Sequence, residues 1–188
     1  MTDADGKPQP FARLSREVLV ANPWHRYCRD RYVQADGSEG QYFYVDMAGS
    51  SATIPVFADG STVLVHVHRY LLGCDLWEFP IGGMAPGEEP LAVAKKELAE
   101  EAGLAAGEWT KLGAFAPYKG VSNEVTHFFL ARDLVERAQH LEASERITVH
   151  RMPLAEARRV LVGQPLGDGQ SMAGLLLLER WLAEGNTL

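Results

Sequence analysis

The chain has 188 residues, 46% hydrophobic and 23% charged, the composition of one ordinary globular domain rather than a disordered segment. Lys and Arg number 18 against 25 Asp and Glu, and the resulting charge of −7 argues against nucleic acid or an anionic membrane as the main partner. Cys28 and Cys74 are too few for a disulfide framework or a Cys-based zinc site; no apolar run nears the roughly 18 residues of a membrane helix, and the polar residues 1–10 lack a secretory signal, so a cytoplasmic protein is expected.

In chain order, residues 1–12 read as a loose tail, and 17–70 are strand-like. Residues 24–33 are rich in aromatic and β-branched side chains, Asp36-Gly37 is a hairpin signal, and 41–46 is the return strand. On a regular strand, alternation sends Trp24, Arg26 and Cys28 to one face and His25, Tyr27, Arg29 and Arg31 to the other. Residues 53–57 and 62–67 flank Asp59-Gly60 and read as a second hairpin. His66 and His68 share one face there, with no third ligand apparent for a metal. Gly82, Gly83, Pro86 and Gly87 crowd together and read as a loop. A helix follows, with Pro90 in its first turn, Leu91, Ala94 and Leu98 at helical spacing, and Gly103 just past its end. Strand patterns return at 113–115, 125–131 and 147–150, and helices at 154–162 and 171–183 close the chain. The order is no regular βαβ alternation, so the expected class is α+β with a mixed sheet.

Glu97, Glu100 and Glu101 sit at i, i+3 and i+4 and project within one 100° arc of the helix. Like charges at that spacing cost about 0.2–0.5 kcal/mol per pair in an isolated helix. A hard divalent cation would offset that cost, because Mg²⁺ takes oxygen ligands from carboxylates and substrate phosphates. Taken alone, such a run is more often a solvated acidic face.

The frame around the three glutamates is more specific. The stretch GGMAPGEEPLAVAKKELAEEAGL resembles the Nudix box: G, five residues, E, seven residues, then REUxEExGU with U aliphatic. Gly82, Glu88, Glu97, Leu98, Glu100, Glu101, Gly103 and Leu104 fill eight of its nine specified positions, and Lys96 stands where the family has Arg. Arg presents a planar fork to a carboxylate and Lys a point charge, so weakened positioning is expected. The resemblance implies a Nudix-like α/β/α sandwich with a mixed β-sheet, preceded by an N-terminal antiparallel β-sheet region. It implies Mg²⁺ (or Mn²⁺) held by Glu97, Glu100, Glu101 and the backbone carbonyl of Ile81. Gly82, Glu88, Lys96 and Gly103 would shape the box.

Outside the box the chain looks like the ADP-ribose pyrophosphatase branch. LVHVHRY resembles that branch's strand with Arg69 near its end, and LWEFPIGG resembles its approach to the box, with Trp77, Glu78 and Pro80 matching. Pro117 lies 13 residues beyond Leu104, near the branch's downstream proline. Trp24 and Arg29, spaced W-x4-R, are similar to an adenine-stacking Trp and its nearby Arg, and Glu145 in SERITVH resembles a late-loop Glu that activates water. The resemblance thus implies Glu97, Glu101 and Glu145 as catalytic residues, and Trp24, Arg29, Arg69, Glu78 and Gly83 as substrate contacts. Each flanking residue has a plainer reading: Trp24 as a core or interface aromatic, Arg69 as a surface charge, Glu145 as a solvated loop residue, and Glu124 as a loop carboxylate that also could face the site.

What the resemblance implies is hydrolysis of a nucleoside diphosphate sugar, with ADP-ribose giving AMP and ribose 5-phosphate. The expected division is a tail (1–12), an N-terminal β-strand region (13–52) for dimerisation and substrate contacts, and the Nudix hydrolase domain (53–188). A homodimer is implied. Two alternatives stay open: another sugar nucleotide such as GDP-mannose as substrate, and an ADP-ribose sensor that does not cleave.

Overall fold

The computed structural model describes residues 9–141 and 146–188. The described residues form two units, one of residues 9–48 with 118–124 and the other of 49–117 with 125–141 and 146–188.

The first unit is an antiparallel sheet in the order β1 (Arg13–Ala21), β2 (Arg26–Val33), β3 (Glu39–Asp46). Pairing begins inside the expected tail: the Phe11 N–H donates to the Val33 carbonyl, and the Ala12 carbonyl accepts from the Val33 N–H. Residues 1–8 of that tail lie outside the described residues. The hairpin read at Asp36-Gly37 is present, with Gly37 at φ 85° and Asp36 accepting from the Ser38 N–H and hydroxyl. Trp24 does not belong to the strand expected over 24–33. Asn22 Oδ1 accepts from the Trp24 and His25 N–H groups, an Asx turn that places both at the tip joining β1 to β2. Residues 118–124 join this sheet, since the Val45 N–H donates to the Val121 carbonyl and Asn123 bonds both Asp46 and the Met47 N–H.

The second unit contains β4 (Ser50–Pro55), β5 (Ser61–Arg69), β6 (Cys74–Glu78), β7 (Ile81–Gly83), α1 (Pro90–Ala102), β8 (Leu104–Phe115), β9 (Thr126–Glu136), β10 (Ile147–Pro153), α2 (Leu154–Gly163) and α3 (Gly169–Ala183). One sheet runs β7-β4-β9-β8, with β4 and β9 parallel and the other pairs antiparallel; the other runs β10-β5-β6 and is antiparallel throughout. The mixed α+β class is therefore borne out.

Side-chain alternation along β4 sets the layers. Ser51 and Thr53 face α1, donating to the carbonyls of Pro90 (2.8 Å) and Ala94 (3.2 Å). Ala52 and Ile54 face the other way, into a core shared with Phe128 and Leu130 of β9, Leu161 of α2, and Ala173, Leu175 and Leu178 of α3. Each fully buried Leu, Ile or Phe there contributes about 1.5–3 kcal/mol over leaving it in water. Gly174 lets α3 approach closely, because a Cβ on it would lie 3.1 Å from Phe128 and 3.3 Å from Ile54.

Three expectations need correction. The chain does turn at Asp59-Gly60, but β4 and β5 fall in different sheets, and the turn is closed by an isolated bridge between Val56, just past β4, and Thr62. All six residues of β4 are buried, and such a strand takes partners on both edges, here β7 and β9. Residues 50–52 belong to β4. Gly82 and Gly83 are strand rather than loop. The strand expected at 113–115 starts instead at Leu104; Ala105, Ala106 and Gly107 are poor strand formers, and pairing with β9 carries them. No helix among the described residues is long and apolar enough to cross a membrane.

Candidate active site

The site is built on α1 and the strand it packs against. Pro90 stands in the first turn of α1, and Gly103 (φ 63°) ends it, its N–H turned back to the carbonyls of Leu98 and Ala99. A Cβ at Gly103 would come within 3.0 Å of the Arg137 carbonyl oxygen, so the glycine also permits close passage of the chain after β9. That chain docks on the helix end: Gln139 Nε2 donates to the Glu101 carbonyl (2.5 Å), and the His140 N–H to that of Glu100 (3.1 Å).

The three glutamates are not equivalent. Glu97 and Glu101 lie in the buried stripe of α1 with Val93, Ala94, Leu98 and Ala102, at 9% and 5% exposure, whereas Glu100 is half-buried. Two carboxylates in an apolar stripe are costly unless they have partners. The Ile81 N–H donates to Glu101 Oε2 at 3.0 Å. The end of the Glu97 side chain fills the space beside Gly82, where a Cβ would overlap its Cγ, Cδ and Oε1. This is why the first box position is glycine. Lys96 Nζ lies 3.5 Å from Glu97 and 3.4 Å from Glu100, and those charges, Glu97 foremost, raise its pKa above the ordinary lysine value. Glu88 closes the loop before α1, Oε2 accepting from the Ala85 N–H at 2.7 Å.

Arg69 and Glu78 meet on neighbouring strands. Arg69 Nε donates to Glu78 Oε1 at 2.7 Å and its Nη2 to Oε2. Glu78 is 2% exposed; burial pushes its carboxyl pKa up and Arg69 pulls it back only in part. The bond to Glu78 raises the Arg69 pKa, with added pull from the charges of Glu78, Glu101 and Asp168. The Arg69 guanidinium therefore feels the charge of Glu101 on α1. Asp168 escaped the sequence reading; it caps α3 by accepting from the Ser171 N–H (2.6 Å).

The structure thus brings together Glu97, Glu101, Ile81 and Gly82, with Glu100 and Lys96 beside them and the Arg69–Glu78 pair within electrostatic range. Gly83 lies opposite Ser50 in β7, exposed. Trp24 and Arg29 belong to the other unit, Trp24 being 79% exposed and Arg29 bonded through Nε to Glu17 Oε2 at 3.1 Å. Glu124 also belongs to that unit, and Glu145 lies outside the described residues. His66 stacks on Trp77 (ring centroids 4.5 Å apart), while His68 Nδ1 is 2.6 Å from Asp75. No three Asp, Glu, His or Cys side chains among the described residues are gathered into a metal-binding cluster. The carboxylates of α1 and the neighbouring Ile81 of β7 nonetheless form a donor set that suits a hard cation, for which two carboxylates and a backbone carbonyl leave room for water and phosphate oxygens.

Residues 47–173 match the NUDIX domain. The chain is 33% identical over 172 residues to an ADP-ribose pyrophosphatase of Mycobacterium tuberculosis (strain ATCC 25618 / H37Rv), covering 88% of this chain and 82% of that protein. It is 29% identical over 156 residues to an ADP-ribose pyrophosphatase of Bacillus subtilis (strain 168), covering 80% and 84% respectively. A crystal structure of an ADP compounds hydrolase superposes with a TM-score of 0.79 at 20% identity, over 97% of this chain and 99% of that one, which shows the shared fold.

Proposed function

Because the chain belongs to the NUDIX domain family, we propose that it hydrolyses the pyrophosphate bond of a nucleoside diphosphate sugar, with ADP-ribose giving AMP and ribose 5-phosphate. The observation that carries this reading is the burial of Glu97 and Glu101 against Gly82 and the Ile81 amide, inside the box. The two relatives named as ADP-ribose pyrophosphatases support the choice of sugar nucleotide.

Mg²⁺ or Mn²⁺ would be held by Glu97, Glu101, Glu100 and the Ile81 carbonyl, where it would neutralise the bridging phosphates and lower the pKa of a bound water. Lys96 holds Glu97 and Glu100 in place between turnovers. Arg69 commits Nε and Nη2 to Glu78 and keeps Nη1 for a phosphate oxygen. Glu145 positions or deprotonates the attacking water. Trp24 offers an exposed indole face to the base, and Arg29 the ribose-phosphate contact.

The N-terminal sheet serves a homodimer in this reading, each copy completing the other's substrate site. All nine residues of β1 are exposed, Leu14, Val18, Leu19 and Val20 among them, on a strand with one unpaired edge.

The test is incubation with Mg²⁺ or Mn²⁺ and a panel of sugar nucleotides, with products resolved chromatographically. AMP and ribose 5-phosphate from ADP-ribose are expected at the highest kcat/KM. Faster cleavage of GDP-mannose would reassign the substrate, and tight ADP-ribose binding without cleavage would make the chain a sensor.

A further inference from the structure

We propose that Gln164, the C-cap of α2, and Ser171, in the first turn of α3, are positioning residues for the Arg69–Glu78 pair and so set substrate affinity without touching substrate. This rests on the reading of Arg69 as a phosphate contact.

Among the described residues β6 is an edge strand of the β10-β5-β6 sheet, so the backbone groups on its outer side have no strand to bond. The Gln164 side chain supplies that partner. The Trp77 N–H donates to Gln164 Oε1 at 2.9 Å, and Gln164 Nε2 donates back to the Trp77 carbonyl at 3.0 Å. Two residues on, the Phe79 N–H donates to Ser171 Oγ at 2.9 Å, between a fully buried serine and a phenylalanine 1% exposed. Glu78 is the residue between these anchors. Its side chain points to the opposite face of β6 from that of Trp77, which packs with Phe79 in the core, and there it accepts both Arg69 bonds.

The anchors are themselves fixed. Gln164 ends α2, its N–H bonded to the Val160 carbonyl at 3.1 Å. Ser171 donates its N–H to Asp168, whose charge also acts on Arg69 and Glu78. A carboxylate held on both sides of its own peptide cannot drift, and the bidentate bond transfers that restraint to the guanidinium. Mere protection of the edge strand would need the same bonds but would not predict an effect that runs through Arg69.

Gln164→Met keeps the side-chain length and removes both bonds; Ser171→Ala removes the other anchor, and Ser171→Thr restores its hydroxyl. Steady-state kinetics with ADP-ribose should show KM raised about 5- to 10-fold in Gln164→Met with kcat within about two-fold, and within about two-fold in both once Arg69 is already Ala. Ser171→Ala should act in the same direction and Ser171→Thr should recover. The Arg69 Nε–H resonance, read by ¹⁵N NMR without substrate, should shift and exchange faster with water in Gln164→Met. An unchanged resonance, or an equal rise in KM with and without Arg69, would overturn the proposal. Should Gln164→Met fail to fold, Gln164→Glu retains the acceptor for the Trp77 N–H and should give a smaller change in the same readouts. Wild-type protein that cleaves no sugar nucleotide would sink the hydrolase reading, while the resonance alone would still decide whether the clamp acts on Arg69.

Discussion

β1 and β4 invert what their compositions suggest. β1, RLSREVLVA, carries two leucines and two valines, and every one of its nine residues is exposed. β4, SSATIP, opens on hydroxyl side chains, and all six of its residues are buried. The difference lies in position within a sheet. β4 has strands on both sides and helices over both faces, and its hydroxyls have partners there: Ser50 with Thr126 at 2.8 Å, Ser51 with the Pro90 carbonyl, Thr53 with the Ala94 carbonyl. Buried polar groups with partners are tolerated, whereas apolar groups on an uncovered edge strand gain nothing until something covers them. β4 is thus buried with its polar groups satisfied, whereas β1 is an exposed edge strand whose apolar residues gain only if something covers them.

The largest expected effect sits beside β4, where Gly82 lies opposite Ser51 in the β4–β7 pair. Gly82→Ala places a methyl group where the Glu97 carboxyl now lies. Its kcat for ADP-ribose should fall on the order of 100-fold or more, as should that of Glu97→Gln, the latter with a small change in Tm. A Gly82→Ala enzyme with wild-type kcat would mean that the position of Glu97 is not what the reaction requires.

Next comes the tip of β1. Trp24→Ala should raise KM by the equivalent of about 1–3 kcal/mol of base stacking and leave kcat nearly unchanged. Unaltered KM would remove Trp24 from the proposed substrate site.

The box was legible from its spacing: Glu97 and Glu101 share a helix face, and Gly82 leaves room for one of them. The same Gly82 misled the local reading, since glycine signals loops and its strand role depends on a side chain 15 positions away. Asp59-Gly60 announced a turn correctly and was silent on which strands would pair, because that choice is made by distant partners. Gln164 and Ser171 had no local signal at all, lying 87 and 92 positions from the amides they hold. Asp168 resembles any helix-capping aspartate until the fold sets Arg69 near it.

A smaller effect probes the buried hydroxyls. Thr53→Val keeps the shape and removes the bond to the Ala94 carbonyl, and should lower stability by about 1 kcal/mol in urea titration. An equal or more stable variant would show that β4 is held by its position and apolar packing alone.

The smallest intrinsic effect is expected on β1. Val20 is 62% exposed, so Val20→Thr, which keeps the branched shape favoured in strands, should change the stability of a dilute, dissociated chain by less than about 0.5 kcal/mol. Its consequence should appear only on association. In a two-fold interface every substitution is present twice, so a modest loss of apolar contact is doubled in the dimer. Sedimentation equilibrium should therefore show weaker self-association than in the wild type, and Tm should fall more at high protein concentration than at low, because partner binding stabilises the folded chain by mass action. If Val20→Thr and the wild type sediment identically as monomers and share one Tm at every concentration, the exposed row on β1 is solvated surface, and its contrast with β4 reflects edge position alone.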